Sequence, residues 1–117
     1  MIRVLVAEDH TIVREGIKQL IGLAKDLQVA GEASNGEQLL EALRHIECEV
    51  VLLDISMPGL DGIEVLERIR QNDKTSAMPV IMCSNSDSPV DVLRSYKKHA
   101  NAYVQKPDSH AGYDELA

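Results

Sequence analysis

Apolar residues gather in five short runs, at about 2–7, 28–33, 49–54, 79–83 and 101–105, and the stretches between them carry helical periodicity. The run Glu49-Val50-Val51-Leu52-Leu53-Asp54 is near-continuous rather than alternating, which predicts a strand buried on both faces of a parallel sheet. Ile12, Val13, Ile17, Leu20, Ile21 and Ala24 recur at helical spacing and predict a first helix over roughly 11–25. A second helix begins near the cap Asn35-Gly36-Glu37 and buries Leu39, Leu40, Leu43 and Ile46. A third starts at Asp61, with Ile63, Leu66 and Ile69 inward. The fourth opens with Ser88-Pro89, a cap residue followed by proline at the first helical position, and shows Val90 and Leu93. Each gap between strands is long enough for a crossover, so the sheet is predicted to be parallel with right-handed connections. No repeat, low-complexity segment or linker interrupts the chain, and residues 1–117 read as one domain.

The predicted strands end in polar residues of a particular kind: Glu8-Asp9, Asp54, Ser84 and Lys106. Open α/β sheets place their chemistry in the crevice at the carboxyl ends of the strands. Asp54 follows buried strand residues and precedes Met57-Pro58-Gly59. That setting favours a nucleophile, able to take a phosphoryl group as an aspartyl phosphate, over an Asp that merely caps the next turn. The adjacent acids Glu8 and Asp9 repel one another in a crevice unless a cation lies between them. Mg²⁺ suits them, since it takes oxygen ligands in octahedral geometry and keeps several waters. Alone, the pair reads equally well as a solvated opening of the first helix, favoured by the helix dipole. Asp54 tips the balance toward a metal. Lys106 supplies a positive charge against Asp54 and then against phosphate, and Ser84 a hydroxyl for a phosphoryl oxygen. Taken singly they would be a surface lysine and a turn serine. His10, His45, His99 and His110 have no ligand spacing and are not read as metal ligands, although His10 is close enough to the acids to shape access. Cys83 reads most simply as a core residue.

Four stretches carry a resemblance: Val4-Leu5-Val6-Ala7-Glu8-Asp9, Val51 to Gly62, Pro79-Val80-Ile81-Met82-Cys83-Ser84 and Ala102-Tyr103-Val104-Gln105-Lys106-Pro107. In this order, with 45 residues from Asp9 to Asp54, 30 more to Ser84 and 22 more to Lys106, the chain resembles the receiver domain of two-component response regulators. Its first half is most similar to receivers of regulators with a helix-turn-helix output domain. Ser95 to Tyr103 is more similar to stand-alone receivers that serve phytochrome-type kinases.

The resemblance implies a flavodoxin-like, doubly wound five-stranded sheet of order 2-1-3-4-5. It implies Asp54 as phosphoacceptor, Asp9 as direct Mg²⁺ ligand, Glu8 as mainly water-mediated, and the backbone carbonyl of Ser56 as a further ligand. It also implies a cis Lys106–Pro107 bond, and Tyr103 as the aromatic that swings inward when Ser84 moves. The donor would be a histidine kinase or a phosphotransfer protein. Receivers close with a fifth long helix. Here Pro107 to Ala117 leaves room for about one to three turns, so that helix is expected to be truncated or missing. Its loss would uncover apolar surface over strands 4 and 5, at residues such as Val80, Met82, Ala102 and Val104. The chain would then associate with itself or another segment through the helix 4/strand 5 face, or be part of a longer protein.

Composition narrows the readings. A 44% apolar share without Trp or Phe makes the core aliphatic. A net charge of −7 argues against direct nucleic acid binding, which rests on basic contacts to phosphate. Two cysteines are no disulfide framework, and the N-terminus carries no basic region followed by a long apolar stretch. Both features predict a cytoplasmic domain without a membrane span. A phosphatase with an aspartyl nucleophile would want a second acid two residues after Asp54, where Ser56 stands. A flavin-binding module would want a hydroxyl- and glycine-rich loop where Glu8-Asp9-His10-Thr11 stands. A binding module that is never phosphorylated on the same fold is the third alternative. The domain itself is not expected to be an enzyme, since it has no turnover substrate.

Overall fold

The computed structural model describes residues 1–55, 57, 59–84 and 89–105, with backbone alone at 84, 89–91, 93 and 105. Strands and helices alternate as β1 (Ile2–Ala7), α1 (Thr11–Leu23), β2 (Leu27–Ala33), α2 (Gly36–His45), β3 (Val50–Asp54), α3 (Gly62–Gln71), β4 (Val80–Ser84), α4 (Pro89–Lys97) and β5 (Ala102–Gln105). The strands form one parallel sheet of order β2-β1-β3-β4-β5, as the resemblance implied. Among the described residues there are four helices; the expected truncation or loss of a fifth falls on 106–117. Residues 106–117, the implied cis bond included, lie outside the described residues.

Period-two alternation along β1 splits the apolar residues between two cores. Leu5 and Ala7 join Leu39, Leu53, Leu66 and Met82 in the larger core, on the side of α2 and α3. Val4 and Val6 face the other way and pack with Ile21 of α1. α1 turns less of its apolar surface inward than its periodicity suggests. Ile21 is buried, but Ile12, Leu20 and Leu23 are exposed. An open apolar groove of about 420 Å³ runs between α1 and the sheet, lined by Ile2, Val4, Leu27, Val50, Leu52 and Ile81 among others. Among the described residues this groove is centred on β1 and β3, with Ile81 of β4 at its side. Val80 and Met82 are fully buried in the larger core, whereas Val104 of β5 is half exposed.

Two devices fix α3. At its start the Asp61 carboxylate accepts from the Glu64 backbone N–H at 2.9 Å, satisfying an otherwise unpaired first-turn donor. At its end the Arg70 guanidinium reaches out of the helix. It donates to the Met78 carbonyl at 2.6 Å, twice to the His99 carbonyl at 2.8 and 3.0 Å, and to the Asn101 side chain at 2.9 Å. His99 sits in the left-handed region, φ 68°, where a non-glycine residue needs support from its surroundings. Arg70 supplies that support and ties the turn between α4 and β5 to the rest of the sheet.

Candidate functional site

The site follows from one pairing. β1 and β3 are neighbours in register, with Val6 opposite Leu52 and Ala7 opposite Leu53. The next residues in each chain, Glu8 and Asp54, therefore emerge side by side at the carboxyl edge of the sheet. Glu8 prolongs the ladder on its other side, donating its backbone N–H to the Ala33 carbonyl at 3.0 Å. Asp54 is in register with Cys83 of β4, and the following residue, Ile55, donates to the Cys83 carbonyl at 3.1 Å. Glu8 is 1% exposed and Asp54 2%; the Asp9 side chain keeps 24% of its surface in solvent.

His10 completes the cluster. Its Nδ1 lies 3.1 Å from Glu8 Oε1 and 3.2 Å from Asp9 Oδ1, and its backbone N–H donates to Glu8 Oε1 at 3.1 Å. One ligand atom from each of Glu8, Asp9, His10 and Asp54 lies within 4.8 Å of the others. Asp9 Oδ1 is buried and accepts no hydrogen bond of good geometry. Buried carboxylates this close are costly unless a cation compensates them. Their oxygens are the hard donors that Mg²⁺ takes, so these residues fit the ion that the resemblance implies. Arg14 braces the turn from behind, donating Nη1 to the Glu8 carbonyl at 2.7 Å while its Nε pairs with Glu32 at 3.4 Å.

Of the residues singled out in the sequence, the structure brings Glu8, Asp9 and Asp54 together. Ser84 has its backbone at the end of β4, in register with Gln105 of β5, which places it one strand from Asp54; its side chain lies outside the described residues. Ser56 and Lys106 also lie outside them. Tyr103 is half-buried, in register with Met82, and packs against the larger core. Cys83 is half-buried, and neither it nor Cys48 forms a disulfide. Burial pushes the Cys48 thiol up from its ordinary value, with the nearby Glu49 adding to the effect, so it is a weak nucleophile. The sequence sets His10 beside the acids without ligand spacing, since that rule looks for a second histidine or cysteine and its companions are carboxylates. Its adjacency to Glu8-Asp9 was the available signal.

The family model of the response regulator receiver domain matches residues 4–113. The nitrate/nitrite response regulator protein NarL of Escherichia coli K12 is 39% identical over 103 residues, which cover 88% of this chain and 47% of that protein. The chain spans about half the length of the curated relatives it matches. The crystal structure of a LuxR family two-component response regulator from Aurantimonas sp. SI85-9A1 superposes with a TM-score of 0.86 at 28% identity, covering 93% of this chain and 76% of that one. The phosphorylated cyanobacterial phytochrome response regulator RcpA shares the fold, with a TM-score of 0.86 at 23% identity over 92% of this chain and 82% of its own. With the family match running over most of its length and the strand order the same, the chain belongs to the response regulator receiver domains.

Proposed function

We propose that this receiver, read as one domain over 1–117, takes a phosphoryl group onto Asp54 from a histidine kinase or phosphotransfer protein. The observation that carries the reading is the burial of Asp54 at the end of β3, with Glu8 and Asp9 brought beside it by the β1–β3 pairing. Glu8, Asp9, Asp54 and the backbone carbonyl of Ser56 would hold Mg²⁺. When bound, the ion supplies positive charge against the phosphoryl oxygens.

The remaining work falls to the chain's own groups. A carboxylate oxygen of Asp54 forms the bond to phosphorus as the phosphorus–nitrogen bond of a phosphohistidine breaks, and the electron pair of that bond stays on the imidazole. The Lys106 ammonium balances Asp54 at rest and a phosphoryl oxygen afterwards. The Ser84 hydroxyl donates to another phosphoryl oxygen, and Tyr103 turns inward behind it. The added charge thereby biases a two-state surface on α4 and β5 that controls an output partner or domain. The chain assists its own phosphorylation and hydrolysis and turns over no separate substrate, so it is a switch rather than an enzyme.

The net charge of −7 supports a domain that does not itself bind nucleic acid. Among the described residues no helix is long and apolar enough to cross a membrane, and neither cysteine forms a disulfide. Both are in keeping with a cytoplasmic receiver. Self-association through α4 and β5 belongs to the same reading; light scattering at several concentrations checks it.

The test is the intact mass after incubation with a small phosphodonor and Mg²⁺. One acceptor adds about 80 Da per chain, and Asp54→Asn removes the shift. Equal labelling of the variant would overturn the assignment. No labelling of the unaltered chain would favour an interaction module that is never phosphorylated.

A further inference from the structure

The geometry points to His10 as a nitrogen ligand of the metal site, selecting first-row transition ions over Mg²⁺. The inference rests on the reading of Glu8, Asp9 and Asp54 as that site, and concerns which ion it prefers. Neighbouring ligands around an ion held at about 2.1 Å sit about 3.0 Å apart. His10 Nδ1 lies 3.1 Å from Glu8 Oε1 and 3.2 Å from Asp9 Oδ1, so the nitrogen already stands at adjacent-ligand spacing from each oxygen. A ring N–H donating to Glu8 would account for the first contact. It leaves the buried Asp9 Oδ1 with the same nitrogen at 3.2 Å but no hydrogen bond of good geometry. A metal ion shared by all three atoms accounts for both.

The backbone keeps the ring in place. His10 is the residue just before α1, in extended conformation, and its side chain makes no cap hydrogen bond to the helix. Its N–H is instead donated to Glu8 Oε1, which holds the turn closed over the acids. The ring is 62% exposed, so an ion can reach it from solvent without opening the fold. Imidazole suits later first-row ions such as Co²⁺, Ni²⁺ and Zn²⁺, whereas Mg²⁺ prefers oxygen and water. A nitrogen in the ligand set therefore raises affinity for Co²⁺ more than for Mg²⁺.

The full chain, unaltered and as His10→Ala and His10→Gln, would be titrated with MgCl₂, MnCl₂ and CoCl₂. The ratio of Co²⁺ to Mg²⁺ affinity should fall about tenfold or more in both variants, with the smaller loss on Mg²⁺. Electron spin echo modulation of the Mn²⁺-loaded protein should show directly bound imidazole nitrogen, absent in His10→Ala and retained in His45→Ala and His99→Ala. Because His10 is exposed, the variants should melt with the unaltered chain, and His10→Gln guards against a packing defect in the alanine variant. An unchanged affinity ratio, or nitrogen modulation that survives His10→Ala, overturns the assignment of His10 while leaving the Mg²⁺ site standing. Failure of the unaltered chain to bind Mg²⁺ or Mn²⁺ overturns both.

Discussion

Gly62 opens α3 with its Cα pressed against the peptide of Asp54. A Cβ at this position would collide with the Asp54 carbonyl oxygen and the Ile55 Cα, and the Gly62 N–H donates to the Ile55 carbonyl at 2.8 Å. The backbone that carries the Asp54 carboxylate is therefore held by a residue eight positions later, through a contact only glycine allows. Gly62→Ala must displace either α3 or the end of β3. Overpacking of this kind costs about 1–3 kcal/mol, readable as a lower urea midpoint. The variant should also gain phosphoryl mass more slowly, because its carboxylate is displaced. Unchanged stability and labelling would show that the two segments separate without consequence.

Asp9→Ala separates the electrostatic and metal-binding roles of the acid cluster. Without Mg²⁺ the variant should be at least as stable as the unaltered chain, since one of several crowded negative charges is gone. With Mg²⁺ the order should reverse. At a concentration one hundred times its Kd a ligand adds about 2.7 kcal/mol to the folded state, and a tenfold weaker site forfeits about 1.4 kcal/mol of that. Paired thermal melts with and without MgCl₂ decide. Equal stabilisation of the two proteins by Mg²⁺ would remove Asp9 from the ligand set.

Arg70 provides a test away from the site. Its fork serves three acceptors at once, and lysine cannot reproduce that planar geometry. Arg70→Ala should cost about 1.5–3 kcal/mol, the range for hydrogen bonds made by a charged group, and Arg70→Lys should recover only part of it. Amide exchange at His99, Ala100 and Asn101 should quicken in both variants, while Glu8 and Asp54 keep their protection. Uniform loss of protection along the chain would instead mean that Arg70 supports global stability alone.

The exposed pairing of α1 with β2 predicts a pH window. Glu32 is held below its ordinary value of 4.5, first by its hydrogen bond with Lys18. Lys18 is held above its ordinary 10.5 by hydrogen bonds to Glu32 and then Glu15. A lowered acid contributes stability above its unfolded pKa and loses it as pH falls through the folded one. A raised base contributes below its unfolded pKa and loses it as pH rises through the folded one. The contribution is therefore complete between the two ordinary values and fades on either side. The stability difference between the unaltered chain and Lys18→Met should be level across neutral pH, shrink in acid below 4.5, and weaken with added salt. A difference that persists undiminished into acid would assign the effect to packing of the lysine stem.

Much of this protein is written in local pattern. Five apolar runs, the cap at Asn35, the cap at Asp61 and the proline that opens α4 mark the elements to within a residue or two, because strand and helix periods and cap chemistry depend on near neighbours. Asp54 could be singled out for the same reason, as a lone carboxylate at the end of a buried strand. Periodicity could not say which strand lies beside which; that came from resemblance and is borne out in the sheet. The tertiary structure alone decided that Ile21 faces the core while Ile12 and Leu20 do not, since a helix stripe is wider than the groove it meets. It also set Gly62 against Asp54 and carried Arg70 from α3 to His99. Each of these contacts depends on how chain segments pair or turn in space, and such geometry leaves no mark in the local alternation of polar and apolar residues.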